Sequence, residues 1–228
     1  MALAGLLLLL ELCLYAGCFV CGIVTAATTT IVQGRFGGRC LLYGLVSYNS
    51  TGGAIELATA GASSLCYFVS STSVLVAVAC FSLSLYWLYT FCIEEQIARE
   101  PVWLNVMLGL SGVFLFFLLI TGCMLKIGRD TLCKSIVSAV PNVTSCEEAE
   151  SRLWVSPLNG QQFYSNLYKA EVAAWINFFF WVVAALLVFF QKRRAAGRHA
   201  RPSEALFGDA GATAEETEPF FNRPARPQ

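Results

Sequence analysis

Residues 57–93 read LATAGASSLCYFVSSTSVLVAVACFSLSLYWLYTFCI, 37 consecutive positions without a charged side chain. A bilayer core about 30 Å thick takes roughly 20 helical residues at 1.5 Å each. This stretch exceeds that requirement. A buried helix of a soluble protein keeps a polar stripe at 3.6-residue spacing, whereas this run lacks charge all the way round. Working outward, three more runs share the property: Leu12–Gly34 with 23 residues, Pro101–Leu125 with 25 and Val172–Gln191 with 20. The whole chain agrees. Of 228 residues, 57% are hydrophobic and 13% charged, and the mean hydropathy is +0.63.

These runs define an all-α membrane protein, a four-transmembrane-helix bundle. Spans are expected near 12–32, 67–92, 102–125 and 170–191 within a membrane domain of residues 1–191. Loops 33–66 and 126–169 would form a small extracellular or lumenal cap on one side. The tail, 192–228, turns to Ala, Gly, Pro, Arg and Glu, and disorder is expected beyond Arg194. Residues 1–10, MALAGLLLLL, lack the basic n-region of a secretory signal, and no clear A-x-A site precedes Cys18. A retained helix is therefore favoured over a cleaved signal. Glu11 would then sit at the start of the first span, near the headgroups.

Fifteen basic and fifteen acidic residues cancel, which excludes the basic surface that nucleic-acid binding needs. The single histidine, His199, lies outside the apolar body. Most His-based catalysis and zinc chemistry is thereby excluded from that body. Counting basic residues on the two sides barely discriminates between them. The run of Lys192, Arg193, Arg194, Arg198 and Arg201 after the fourth span favours a cytosolic tail. Two glycosylation sequons, Asn49-Ser50-Thr51 and Asn142-Val143-Thr144, lie in the two loops that must share a side. They place both loops in the lumen and both termini in the cytosol.

Cysteine placement agrees. Cys40, Cys66, Cys133 and Cys146 divide two per loop, as expected for disulfides in an oxidising compartment. Cys40–Cys66 and Cys133–Cys146 are favoured because each closes a local loop at low entropic cost. Cross-loop pairing stays open as the alternative. The remaining six cysteines are in or beside the spans, and Cys92 at the inner edge of the second is a candidate palmitoylation site.

Within the first loop, apolar runs flank Asn49-Ser50-Thr51-Gly52-Gly53, the pattern of a short β-hairpin. Ser145 three positions before Glu148 is a capping-box pattern for a short helix near 146–152. Helical spacing through Phe163, Leu167 and Ala170 lets the fourth helix begin outside the bilayer. Cys18, Gly22 and Ala26, and Gly109 with Gly112, read as small-residue packing faces. Tyr86, Trp87, Tyr89 and Trp103 read as an interfacial aromatic belt.

Candidate chemistry is sparse. Cys18-x-x-Cys21 is the one redox-like spacing, and no electropositive group near it favours a thiolate. Three polar positions are intramembrane candidates: Glu11, Glu171 and Asn177. The two glutamates lie near span ends, where snorkelling accounts for them, as it does for Asn105. Asn177 lies two turns into its span and needs an interhelical partner. No P-loop, Gly-x-Ser-x-Gly or HExxH motif occurs. No catalytic, cofactor or metal residue is assigned.

Several segments carry a family resemblance: Gln33-Gly34-Arg35-Phe36-Gly37-Gly38-Arg39-Cys40-Leu41-Leu42-Tyr43-Gly44, Ser64-Leu65-Cys66-Tyr67-Phe68-Val69, Cys92-Ile93-Glu94-Glu95, Leu132-Cys133-Lys134-Ser135-Ile136 and Gln162-Phe163-Tyr164-Ser165-Asn166-Leu167, followed by Ala170-Glu171 and Trp175-Ile176-Asn177. In this order they resemble the transmembrane protein 179 family, its B type most closely, over about residues 11–191. The resemblance implies a four-span membrane protein and brings no molecular activity with it. It also implies that the four loop cysteines and Glu171 belong to a shared pattern. The sequence lacks the Cys-Cys-Gly of tetraspanins, and its first loop has no tryptophan, unlike claudins. Their functions are therefore not transferred.

The expected function is non-enzymatic: an accessory or organising protein that binds other membrane proteins laterally, with homo-oligomers allowed. The expected site is the plasma membrane or a secretory or endosomal vesicle membrane. A channel or transporter subunit is the alternative. A membrane thiol oxidoreductase using Cys18 and Cys21 is the second alternative.

Overall fold

The computed structural model describes residues 2–93 and 101–199. The chain divides into a compact body, residues 1–189, and a second unit, 190–228. The short connection between the second and third spans and the tail beyond His199 lie outside the described residues, as does the tail's expected disorder there.

Four helices carry the fold: α1 (Ala2–Arg35), α2 (Ser63–Ile93), α3 (Pro101–Ala139) and α4 (Phe163–His199). All four are long and apolar enough to cross a membrane. Between α1 and α2 lies a two-stranded antiparallel hairpin, β1 (Cys40–Asn49) and β2 (Ala54–Gly61). A single 3-10 turn, Glu148–Ser151, interrupts the connection from α3 to α4.

The helices form an antiparallel ring. Gly22 on α1 lets α2 approach until a Cβ placed there would meet Ala77 Cβ at 3.0 Å, which is the close packing that small residues permit in lipid. Phe68 on α2 meets Phe117 on α3 at 6.1 Å between ring centres. Phe114 on α3 meets Trp181 on α4 at 4.9 Å, and Trp181 reaches back to Tyr15 on α1 at 6.0 Å. Gly109 and Gly112, expected at a helix contact, face no neighbour within 4 Å. The α3–α4 contact instead uses Gly122, whose face is covered by the Trp175 ring.

Tyr67 and Tyr89 on α2 are 60% and 61% exposed. Twenty-two helical rises separate them, about 33 Å, the span expected between two interfacial aromatic belts. Trp87, expected in the belt, is turned inward and buried. The same window takes in Glu11 near one edge. Glu11 does not snorkel: α1 begins at Ala2, and the side chain is buried inside the bundle. Its carboxyl faces protein because the bundle wraps it, whereas an isolated span would turn it to the headgroups.

The loops are shorter and the helices longer than the charge-free runs suggest. Cys66 belongs to the first turn of α2, and Cys133 belongs to α3, which continues to Ala139. Leu132 and Ile136 on that extension are fully buried. An apolar face covered by other protein keeps a helix going once lipid ends. At the other end, α4 runs to His199, past the point where disorder was expected. Ala195 and Ala196 are strong helix formers, and the basic residues around them complement the helix dipole.

Candidate functional site

The extensions of α1, α3 and α4 support one compact cap. α1 ends in a turn that needs left-handed backbone: Gly37 and Gly38 have φ of 64° and 81°, and the Gly38 N–H donates to Gln33 O at 2.9 Å. This Schellman-type closure satisfies the last helical carbonyls and throws Phe36 inward. Phe36 then meets Trp154 edge-on at 5.1 Å and Phe163 at 6.3 Å, while Trp154 and Phe163 lie 5.5 Å apart. The buried Trp154 indole donates to Ala149 O at 3.1 Å. Gly160 lies under that ring; a Cβ there would fall 2.0 Å from Trp154 Nε1.

The hairpin lies on this core. Leu41, Leu42 and Ile55 are buried, and the Val46 N–H donates to Ser135 Oγ on α3 at 2.9 Å. A register irregularity between Cys40 and Val46 bends β1 over α3. On the far side, the Ile55 N–H donates to Leu153 O at 2.8 Å and the Val155 N–H donates to Ile55 O at 3.0 Å. The hairpin thus acquires a third, parallel partner from the α3–α4 connection. Arg35 donates to Gln161 O, and the Asn159 N–H donates to Arg35 O at 3.1 Å, tying that connection to the end of α1.

Two disulfides cross this assembly, Cys40–Cys66 and Cys133–Cys146. In each, one cysteine is helical and its partner lies beyond that helix. Both sequon asparagines are exposed on the cap. Asn49 Oδ1 accepts from the Thr51 and Gly52 amides at 3.0 and 3.2 Å, an Asx turn at the hairpin tip. Asn142 has φ of 57°, and its carbonyl accepts from Arg152 at 3.2 Å. The Ser145/Glu148 pattern forms in altered shape. Ser145 Oγ accepts the Glu148 N–H, but the Glu148 carboxylate takes the Thr144 N–H at 2.9 Å and the Thr144 hydroxyl. These donors, the Thr144 amide first, hold the Glu148 carboxyl below its ordinary 4.5. One 3-10 turn follows where a longer helix was expected.

Where the cap meets the membrane, Glu171 on α4 pairs with Arg129 on α3. Glu171 Oε2 lies 3.0 Å from Arg129 Nη1, and the two side chains are 10% and 7% exposed. Lys126 Nζ is 3.9 Å from the same carboxylate, and Asp130 accepts from Arg129 at 3.1 Å. The guanidinium stands 5.5 and 5.3 Å from the Tyr164 and Tyr168 ring centres. Glu171 is thus an interhelical partner rather than a snorkelling end residue. Arg129 escaped the reading of the sequence. Its signal was there: basic residues close the third charge-free run, an acid opens the fourth, and antiparallel neighbours bring those ends together.

Deeper in the bundle, Asn177 is 1% exposed, and its Oδ1 has no hydrogen-bond partner among the described residues. Buried hydroxyls of the bundle are back-bonded, Thr25 to Cys21 O, Ser73 to Val69 O, Ser111 to Met107 O and Thr121 to Phe117 O, and the Thr25 hydroxyl also reaches Ala170 O on α4 at 3.4 Å. Cys18 on α1 and Cys80 on α2 are both fully buried. Cys92 is exposed near the end of α2. No group of three or more metal-ligating side chains occurs among the described residues.

Four antiparallel membrane helices that carry a disulfide-stapled, hairpin-bearing cap define a claudin-like four-span membrane protein. A family model described as the transmembrane protein 179/179B claudin domain matches residues 7–221. The chain belongs to that family. It is 56% identical over 220 residues to transmembrane protein 179B of Danio rerio, covering 96% of this chain and 97% of that protein. It is 41% identical to transmembrane protein 179B of Homo sapiens over 194 residues, covering 85% and 86%. The Mus musculus protein of the same name is 40% identical over 178 residues, covering 78% and 79%. No solved structure matches. The missing tryptophan in the first loop is therefore a difference of motif within a claudin-like architecture.

Proposed function

We propose that this protein is a non-enzymatic accessory or organising protein that binds other membrane proteins laterally, through its cap and the lipid-facing sides of its helices. The cap faces the lumen or the cell exterior, both termini are cytosolic, and the protein resides in the plasma membrane or in secretory or endosomal membranes. The observation that carries this reading is Leu153, 73% exposed on a segment clamped to the hairpin by two backbone hydrogen bonds at Ile55. A large apolar side chain on a rigid support loses little entropy when it docks. Sidedness is supported by the two exposed sequons on the cap and by Lys192, Arg193 and Arg194 at the other end of α4.

Proximity labelling from the C-terminal tail, read by mass spectrometry in wild type and Leu153→Asp, tests the reading. A set of membrane-protein neighbours lost in the variant supports it; an unchanged set refutes the role of the cap. Labelling of a second, differently tagged copy of the chain that carries no labelling enzyme would identify a homo-oligomer. Glycosidase digestion of Asn49→Gln and Asn142→Gln tests sidedness, and unaltered gel mobility for both variants removes that support.

Asn177 favours a second reading, a channel or transporter subunit, because an intramembrane acceptor without a partner is a functional signal. The back-bonded hydroxyls of the bundle weigh against a polar path through one copy. Conductance in reconstituted liposomes that vanishes with Asn177→Leu would move the assignment to this reading.

A further inference from the structure

We propose that the groove between α1 and α2 binds a sterol, with the sterol hydroxyl at the end nearest the cap. The groove has a volume of about 720 Å³ and opens on the lipid side of the α1–α2 contact. It runs from Phe19 to Ile31, twelve helical rises or about 18 Å. That is longer than half the apolar thickness of a bilayer and well short of the whole.

Three features select the occupant. The inner end is closed by Phe19 and Phe81, whose rings lie 5.4 Å apart. A transmembrane helix must continue across the membrane and would collide with this stop, whereas a molecule about one leaflet long fits above it. The floor is smooth, made by Gly22, Ala26 and Ala77, and the rim is branched, made by Ile23, Val74 and Val78. A fused-ring lipid has one flat face and one face studded with methyl groups, and it meets both surfaces. Spread over its length, the volume corresponds to a section of about 40 Å². A single acyl chain would fill only about half of such a section.

Polarity sets the orientation. Thr30 is the one hydroxyl residue in the lining, and it stands at the cap end. Its Oγ1 donates to Ala26 O at 2.7 Å, which leaves its lone pairs free to accept from a sterol O–H. Ser70, one turn nearer the cap than Val74 on the same α2 face, lies outside the lining, and its Oγ is buried. Tyr67, exposed one turn further on, marks the headgroup level at which a membrane sterol carries its hydroxyl.

Full-length protein in phosphatidylcholine vesicles that contain a diazirine-bearing cholesterol would be irradiated and its adducts mapped by mass spectrometry. Adducts should fall on residues 19–31 and 74–81 and be displaced by excess cholesterol. Ala27→Phe, which fills the groove from its lipid side, should lower that labelling about tenfold. Thr30→Val should lower it about three- to fivefold, the worth of one net hydrogen bond. Val78→Trp fills the groove from α2 and should reproduce the first loss if Ala27→Phe fails to fold. Val113→Phe, on the exposed face of α3, should leave labelling unchanged. Adducts spread evenly over the four helices, equal displacement by oleate, or occupation of the groove by a helix of another protein would each overturn the proposal.

Discussion

Replacing Glu171 with glutamine removes one charge from a pair whose members are 10% and 7% exposed and 3.0 Å apart. At an effective dielectric of about 20, the gross attraction at that distance is about 5.5 kcal/mol. Desolvation offsets much of it, so the net worth of the pair is small. Breaking the pair is a different matter, because Arg129 keeps its charge in a buried site. Removal of one partner from a buried pair typically costs about 3–5 kcal/mol. Here Asp130 still accepts from Arg129 at 3.1 Å, but it is partly exposed and compensates weakly, which places the expected loss near 3 kcal/mol. Removing both charges as Arg129→Met with Glu171→Leu should recover most of that loss. The assay is reversible unfolding of the full-length protein in mixed micelles, with Arg129→Met and Glu171→Leu as the single variants that close the double-mutant cycle. A Glu171→Gln variant within about 0.5 kcal/mol of wild type, or a double variant worse than either single one, would refute the buried-pair account.

Three further outcomes follow from the cap. Gly160→Ala drives a methyl group into Trp154 and should destabilise the cap by about 1–3 kcal/mol; a tryptophan emission spectrum and protease resistance equal to wild type would contradict this. Loss of the Cys40–Cys66 bridge, which spans 26 residues, should cost about 3.5 kcal/mol, and loss of Cys133–Cys146, which spans 13, about 2.9 kcal/mol by loop-closure entropy. Cys40→Ser should therefore lower resistance to cap proteolysis at least as much as Cys133→Ser, and the reverse order would count against the loop-closure argument. The Glu148 carboxyl is held below its ordinary 4.5 by Thr144, so its contribution is complete above that value and is lost as pH falls through the lower folded value. The protection factor of the Thr144 amide, referred to its intrinsic exchange rate, should be maintained at about pH 5 and fall only once the pH drops below the carboxyl's ordinary 4.5; a pH-independent protection factor would disprove the contact's role.

The membrane helices were legible because charge is so costly in lipid that its absence over 20 or more residues marks a span by itself. The hairpin was legible from its Gly-rich turn. The helix ends were not, because Leu132, Ile136 and Phe163 look alike whether lipid or protein covers them, and only the folded cap decides which. The sequence marks Glu11 and Glu171 as polar residues near span ends, but burial is a property of neighbours on other helices, and for Arg129 too no sequence pattern records it. Trp154 left no mark in the sequence, since its partners Phe36, Gly160 and Phe163 are distant or adjacent in ways no periodicity records. Gly109 and Gly112 misled because a small residue can face lipid as readily as a neighbouring helix.

The aromatic cluster under the hairpin has a consequence for biogenesis. Phe36 leaves the ribosome long before Trp154 and Phe163, which cover it, and Asn159 closes over Arg35 only when the last helix is being made. The first disulfide can form while synthesis is still under way, but it then staples a hairpin whose apolar underside is bare. A chain truncated before α4 leaves that underside bare, and such a shortened product should be degraded in place of accumulating like the full-length protein.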